Sequence, residues 1–282
     1  MEVPLTTVGI FIAGYNTLNP SALLKILSKS NGRFRFELGV RIQTMGDPDL
    51  AGFAYSDVAF TSMISRYREC YDICVLLTSA PLEDNFFTRT IQQNTIIATS
   101  HQADELLEKS GRSLAEYYAL AICQELISFA FQRATGLPWT ELFHGETRGC
   151  LFDFAKYKPH KIAKLTKCII SPQTQGFLAE KNVDDRVISY VLSVLRRIRR
   201  PSFIRAIKES VMSPILSFFY GGLVIGFVVN VFSSLVLNKN SLSGGQIRFI
   251  LFLGACIPTF PVFVFIWAWI TYLRHRLAES YS

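Results

Sequence analysis

The sequence carries little charge for its length. Only 18% of its 282 residues are charged, against about 25% in a typical soluble domain. Half of all its residues are hydrophobic. It has no internal repeat or low-complexity tract, which excludes fibrous and disordered classes of protein. The six cysteines lack the dense pattern of a secreted disulfide scaffold. No cleavable signal peptide is expected, because the apolar run at residues 8–13 is too short.

Charge is missing altogether from two long stretches near the C-terminus. Residues 211–237 and 249–273 contain no Asp, Glu, Lys or Arg. A helix of about 20 apolar residues crosses the roughly 30 Å hydrocarbon core of a bilayer, and both stretches are longer than that. We therefore predict a membrane hairpin with its helices at residues 214–237 and 249–273, a polar loop at 238–248 and a tail at 274–282.

The basic residues are concentrated immediately before this hairpin. Residues 1–150 hold 12 Lys and Arg against 16 Asp and Glu, whereas residues 151–210 hold 13 against 5. Because positive charge marks the cytoplasmic side of a span, both termini are predicted to be cytoplasmic, with residues 201–213 as a basic linker. Nucleic acid is not an expected partner, since this basic cluster adjoins a membrane span. The cluster begins with Arg196, Arg197, Arg199 and Arg200.

Three residues interrupt the apolar character of the predicted spans. Asn230 is a strongly polar side chain in the first span, and Pro258 and Pro261 lie in the second. Polar groups and broken backbone at this depth need protein or water around them. A homo-oligomer that forms a pore would supply this environment. A hairpin that only anchors the domain is the alternative.

The remaining residues, 1–200, are predicted to form one cytoplasmic domain with a mixed α/β sheet. Its hydrophobic patterns predict strands at residues 8–13, 33–42, 72–78 and 95–99, and helices at 20–27, 53–70, 102–109, 113–135 and 184–200. The helix from Ser113 has the Ser-x-x-Glu capping-box pattern and is apolar on most of its surface, so we expect it to be the central buried helix. Five lysines between residues 156 and 167 predict a solvated basic face, which could also contact headgroups or an anionic ligand.

Glu125 lies in the middle of this central helix. A buried carboxylate is costly unless it is paired or ligated, so Glu125 is a candidate functional residue. The alternative is a structural ion pair with Arg133 or Arg148.

A second candidate site is the loop of residues 142–153. It brings His144, Glu146, Arg148, Cys150 and Asp153 together beside glycines. A Cys150 nucleophile activated by His144 is one interpretation. A ligand-binding loop is another, and a polar loop held by a Glu146–Arg148 or Arg148–Asp153 pair is a third.

Residues 5–180 resemble the archaemetzincin branch of the metzincin zinc peptidases. The resemblance lies in the strands at 72–78 and 95–100, the long helix, the turn after Gly149 and the sequence Cys-Ile-Ile-Ser at 168–171. That family carries HExxHxxGxxH on the helix and its continuation, then a methionine turn, and a second zinc held by cysteines.

The resemblance implies a peptidase relative that has lost its metal. Within the residues 124–128, Gln124 and Ser128 stand at the first two histidines of the motif, whereas Glu125 is retained. Phe131, Ala134 and Phe152 stand at the glycine, the third histidine and the methionine, and Ser171 stands at the second cysteine of a CxxC pair. Glutamine and serine are poor zinc ligands, so no zinc or other cofactor is expected.

These features favour a membrane-anchored, non-enzymatic protein whose cytoplasmic domain binds an unidentified small-molecule or protein ligand. Its architecture resembles that of membrane-perturbing effectors of bacterial stress or defence systems. A membrane-tethered hydrolase that uses Cys150 with His144, or a metal site at Glu125, is an alternative. An adaptor that recruits a partner to the membrane is another.

Overall fold

The computed structural model describes residues 5–28, 33–84, 86–91, 94–145, 149–155, 157–199 and 269. The chain divides into two compact units, Met1–Arg199 and Arg200–Ser282. The predicted membrane hairpin lies outside the described residues, apart from Trp269, and so do its linker and its tail. Apart from Trp269, the described residues belong to the first unit.

A five-stranded sheet forms the centre of this unit, and the predicted mixed α/β fold is confirmed. The sheet has the order β2-β1-β3-β5-β4, in which only the edge strand β4 is antiparallel to its neighbour. Strands β3 and β5 are almost fully buried on both faces, as expected of parallel strands covered on both sides. The strands are β1 Thr6–Ala13, β2 Phe34–Ile42, β3 Ile73–Thr78, β4 Thr88–Ile91 and β5 Thr95–Thr99.

Helices cover the sheet, and alternate residues of β1 enter two separate cores. Val8 and Ile10 belong to the larger core, which contains α4, whereas Phe11 belongs to the smaller one, beside α2. The helices are α1 Pro20–Leu27, α2 Asp57–Ile64, α3 Asp104–Ser110, α4 Leu114–Thr135, α5 Lys158–Lys167, α6 Pro172–Glu180 and α7 Asp185–Arg199. The sequence patterns did not predict β4, α5 or α6.

The prediction of one helix over residues 53–70 is wrong. Ser56 is in extended conformation, and its side chain caps α2 by accepting a hydrogen bond from the Ala59 backbone N–H. Short 3₁₀ turns, Ala51–Phe53 and Ser65–Cys70, lie on either side of α2. The apolar pattern across this segment therefore reflects burial without a continuous helix.

Helix α4 has the predicted bounds for the predicted reasons. Ser113 and Glu116 form the capping box, and Gly136 ends the helix with a left-handed φ of 69°. Among the described residues α4 is the one helix long and apolar enough to cross a membrane, but 78% of its most apolar window is buried inside the protein. It packs against α1 and α7 as the central core helix.

Candidate functional site

The polar segment of α4 consists of Gln124, Glu125 and Ser128. Their exposed fractions are 7%, 7% and 3%, so the predicted burial of Glu125 is confirmed. Glu125 Oε2 accepts a hydrogen bond from the Thr90 hydroxyl of β4 at 2.8 Å, and Gln124 Nε2 lies 3.4 Å from Oε1. The Ser128 hydroxyl donates to the Gln124 carbonyl at 3.0 Å. All three side chains are therefore engaged by the protein itself.

Lys161 of α5 is a cation of the described residues that interacts electrostatically with Glu125. Burial, together with the neighbouring Lys164 ammonium, lowers the pKa of Lys161 to about 7, although Glu125 opposes the shift. The Lys161 Nζ lies 5.1 Å from the ring centre of Phe87 and 5.7 Å from that of Tyr117. Arg133, one of the two predicted partners of Glu125, is exposed two turns further along α4.

Lys161 and Lys164 are buried, so the prediction of a solvated lysine face is wrong for these two residues. Their exposed fractions are 2% and 3%. The Lys164 Nζ donates a hydrogen bond to the Leu151 carbonyl at 2.9 Å. Burial lowers the pKa of Lys164 to about 8, whereas Asp153 and Cys150 favour its charged form.

The second candidate site is built by two backbone bridges. His144 pairs with Asp153, and Cys150 pairs with Ile169 just before α6. The Phe154 N–H donates to the His144 carbonyl at 2.9 Å, and the Leu151 N–H donates to the Ile169 carbonyl at 2.7 Å. These long-range contacts bring His144, Cys150 and Asp153 together beside the N-terminal end of α6.

Asp153 is the buried centre of this cluster. Only 1% of its side chain is exposed. Its Oδ2 accepts hydrogen bonds from the backbone N–H groups of Gly149 and Cys150, at 2.5 Å and 3.0 Å. Its Oδ1 lies 3.1 Å from His144 Nδ1, which is an ion-pair distance, but Oδ1 has no hydrogen-bond partner. The two atoms are thus close without the alignment of a hydrogen bond.

His144 connects this buried carboxylate to a cleft. Its Nε2 lies 3.3 Å from Thr174 Oγ1, which is 2.8 Å from Ser171 Oγ. The cleft has a volume of about 380 Å³, and Phe143 and Phe177 form part of its wall. The other lining residues are Glu141, Leu142, His144, Gly145, Gln173 and Thr174.

Cys150 lies behind the cleft and is fully buried. Its Sγ accepts a hydrogen bond from the Ser171 backbone N–H at 3.2 Å and lies 3.7 Å from Thr174 Oγ1. Of the predicted Cys150–His144 pair, therefore, only the imidazole lines the cleft. The imidazole Nε2 faces the hydroxyl of Thr174.

The donor atoms at the two sites differ in how well they suit zinc. On α4, Gln124 and Ser128 offer an amide and a hydroxyl where zinc prefers imidazole nitrogen or thiolate sulfur, so this segment does not fit the metal. His144, Cys150 and Asp153 offer accepted ligand types within 4.8 Å of one another, and Asp153 Oδ1 lacks a hydrogen bond. These three residues would hold such an ion, and the expectation of no metal stays a prediction.

The structure keeps Glu125 apart from the cleft. Glu125 and Cys150 are not among the residues that line it, whereas His144 is. Lys161, near Glu125, and Lys164, near Asp153, connect the two sites electrostatically. The predicted ligand-binding residues Glu146 and Arg148 lie outside the described residues.

Sequence reasoning missed four residues of these sites. They are Thr90, Lys161, Lys164 and Thr174. The two lysines did carry a signal, because Lys161 and Lys164 share one helical face with the apolar residues Leu165 and Cys168. Thr90 and Thr174 carried none, because only tertiary contacts place them beside Glu125 and His144.

The basic C-terminal end of α7 is an integral part of the folded domain. Arg197 is half-buried, and its guanidinium donates to the Ile26 carbonyl of α1, whereas Arg196 and Arg199 are exposed. Arg200 and the predicted membrane residues Asn230, Pro258 and Pro261 lie outside the described residues.

Comparison with known proteins found one distant likeness. The crystal structure of archaemetzincin from Methanopyrus kandleri is similar to this chain at 13% sequence identity and a TM-score of 0.39, over 62% of this chain and 95% of that one. This is a distant likeness of fold. No family model and no curated protein matches the chain.

Proposed function

We propose that the chain is a membrane-anchored, non-enzymatic protein. Its α/β domain lies in the cytoplasm and binds a small molecule or a protein segment at the cleft beside His144. The predicted hairpin anchors the domain and, in a homo-oligomer, perturbs the bilayer.

The environment of Glu125 carries this proposal. In a metal-dependent peptidase the helix glutamate must face a metal-bound water. Here Thr90 contacts one oxygen of Glu125 and Gln124 contacts the other. Lys161 supplies the nearby positive charge. The carboxylate is thus compensated by the protein, and neighbouring Gln124 and Ser128 are poor zinc ligands.

The cleft beside His144 has the composition of a binding site. Phe143 and Phe177 provide apolar walls, whereas Thr174 and His144 provide a few polar atoms. Such sites are mostly apolar with a small number of polar groups that orient the ligand. The His144 side chain is 35% exposed, so a ligand can reach it.

The membrane part of the proposal is supported by the sequence alone. Two uncharged stretches longer than a bilayer span follow the basic end of α7. Asn230 lies within the first stretch, where an oligomer would shield its amide from lipid.

Dye release from liposomes tests this function. We expect the full chain, reconstituted and then oligomerised by a chemical crosslinker, to release an encapsulated dye. Asn230→Leu should reduce release, because it removes the polar group that an oligomer shields, and truncation after Arg200 should abolish it. Absence of release from the crosslinked full chain would reduce the hairpin to an anchor.

A hydrolase is the second candidate, favoured by the contacts from Asp153 through His144 to Thr174. In this alternative His144, oriented by Asp153, acts as a general base within the cleft. Ester or peptide turnover by the full chain would support it if His144→Ala abolished the turnover and Glu180→Ala, at an exposed position of α6 that does not line the cleft, did not. Turnover that survives His144→Ala would contradict it.

A further inference from the structure

The C-terminal ends of three helices meet at one corner of the α/β domain. Arg197, in the last turn of α7, donates a hydrogen bond to the Ile26 carbonyl in the last turn of α1. Arg112, which follows α3, donates from Nη1 to the Ile198 carbonyl of α7 at 2.8 Å. The described domain ends at this corner, with Arg199.

This corner carries exposed positive charge from distant parts of the sequence. Lys25 lies in the last turn of α1, Lys109 in that of α3, and Arg196 and Arg199 in that of α7, and all four are exposed. We call these four residues the basic corner. Acidic residues also lie nearby: Glu116 is 3.7 Å from Arg112 and caps α4, and Glu105 and Glu108 are exposed on α3.

We propose that the basic corner docks onto the headgroups of anionic lipids. This inference rests on the membrane anchorage in the proposed function and adds the face of the domain that meets the bilayer. The chain beyond Arg199 reaches the first uncharged stretch, at residue 211, within a span of at most about 40 Å if fully extended. Each basic residue near an anionic surface strengthens docking roughly fivefold.

Two alternative explanations account for less of this arrangement. A cation in the last turn of a helix interacts favourably with the helix dipole, but that does not explain why three such turns meet where the chain leaves the domain. Proteins that bind single-stranded nucleic acid use aromatic side chains as stacking surfaces. Among the described residues, no exposed aromatic side chain belongs to the segments that form the corner, 24–28, 109–113 and 196–199.

Amide hydrogen exchange of the full chain in lipid nanodiscs tests the inference. One set of discs contains phosphatidylcholine alone, and in the other a third of the lipid is phosphatidylglycerol. We expect exchange in segments 24–28 and 109–113 to be at least fivefold slower in the anionic discs, and the difference to disappear at high salt.

Charge reversal supplies a matched pair of variants. The double variant Lys25→Glu with Lys109→Glu should remove the slowing. Arg133→Glu should keep it, although this residue too is exposed in the last turn of its helix, α4. Helix α4 starts beside Arg112 and its 22 residues span about 33 Å, so Arg133 lies far from the basic corner.

Equal exchange in both kinds of disc would overturn the inference alone. If heparin in detergent then slowed exchange in the same two segments, the corner would be assigned to a soluble polyanion. Failure of the full chain to enter the discs would overturn the membrane anchorage as well. The test thus separates failure of this inference from failure of the proposed function.

Discussion

Replacing Asp153 with alanine is expected to lower the free energy of unfolding of the α/β domain by about 3 to 5 kcal/mol. The substitution removes the acceptor for the backbone N–H groups of Gly149 and Cys150, and the carboxylate that favours the charged form of the buried Lys164. The two N–H groups then lose their acceptor, and the buried ammonium keeps its hydrogen bond to the Leu151 carbonyl but loses the nearby negative charge. Urea unfolding of the full chain in detergent, followed by tryptophan fluorescence, measures the loss.

Two further variants make the Asp153 experiment specific. Asp153→Asn keeps a side-chain oxygen that can accept from the two backbone N–H groups but loses the charge, so we expect about half the effect. Glu141→Ala removes an exposed carboxylate at the rim of the cleft and should change stability by less than about 0.5 kcal/mol. A loss below about 1 kcal/mol for Asp153→Ala would contradict the role given to this carboxylate.

Replacing Lys161 with methionine is expected to stabilise the domain at about pH 6 by roughly 2 to 4 kcal/mol. The substitution removes the positive charge near Glu125, but the pKa of Lys161 is lowered even with the opposing effect of Glu125 included, so the cost of burying the ammonium is the larger effect. Burial lowers the pKa of Lys161 from 10.5 in the unfolded chain to about 7 in the folded one. Below the lower value the lysine is charged in both states, and the folded state bears the cost of desolvation. Methionine has a similar shape and can remain against Phe87 and Tyr117 without that cost.

The sign of this effect gives it a distinctive pH dependence. Between about pH 7 and pH 10.5 the unfolded chain binds more protons at Lys161 than the folded chain, so its contribution to stability rises with pH. The advantage of Lys161→Met should therefore shrink across this window. Lys167→Met, at an exposed position on the same helix, should show no such trend. An advantage that stayed constant with pH would contradict the buried charge.

The sequence predicted the fold where local signals and burial agree. Helix α4 carries its own capping box and terminating glycine, so its bounds follow from local chemistry alone. Strand β4 has four residues and depends on pairing with β5, and hydrophobic pattern does not reveal such pairing. Helix α5 was missed because its lysines resemble a solvated face, although tertiary packing buries two of them.

The candidate sites were predictable in composition but not in geometry. The cluster of reactive residue types around His144 and the buried charge of Glu125 were both visible in the sequence. Which groups meet is decided by the bridges from His144 to Asp153 and from Cys150 to Ile169. These contacts turn His144 towards Thr174 and leave Cys150 enclosed, and no local pattern specifies that outcome.

The zinc content of the purified full chain tests the central claim most directly, namely that the domain is not a metallopeptidase. Elemental analysis should be made on the wild type, Glu125→Gln and His144→Ala, each purified without chelator and washed in zinc-free buffer. We predict that all three contain far less than one zinc per chain. Gln124 and Ser128 are poor ligands, and in the His144 cluster Cys150 and Asp153 are buried and already accept backbone hydrogen bonds. One zinc per wild-type chain, lost on either substitution, would contradict the account.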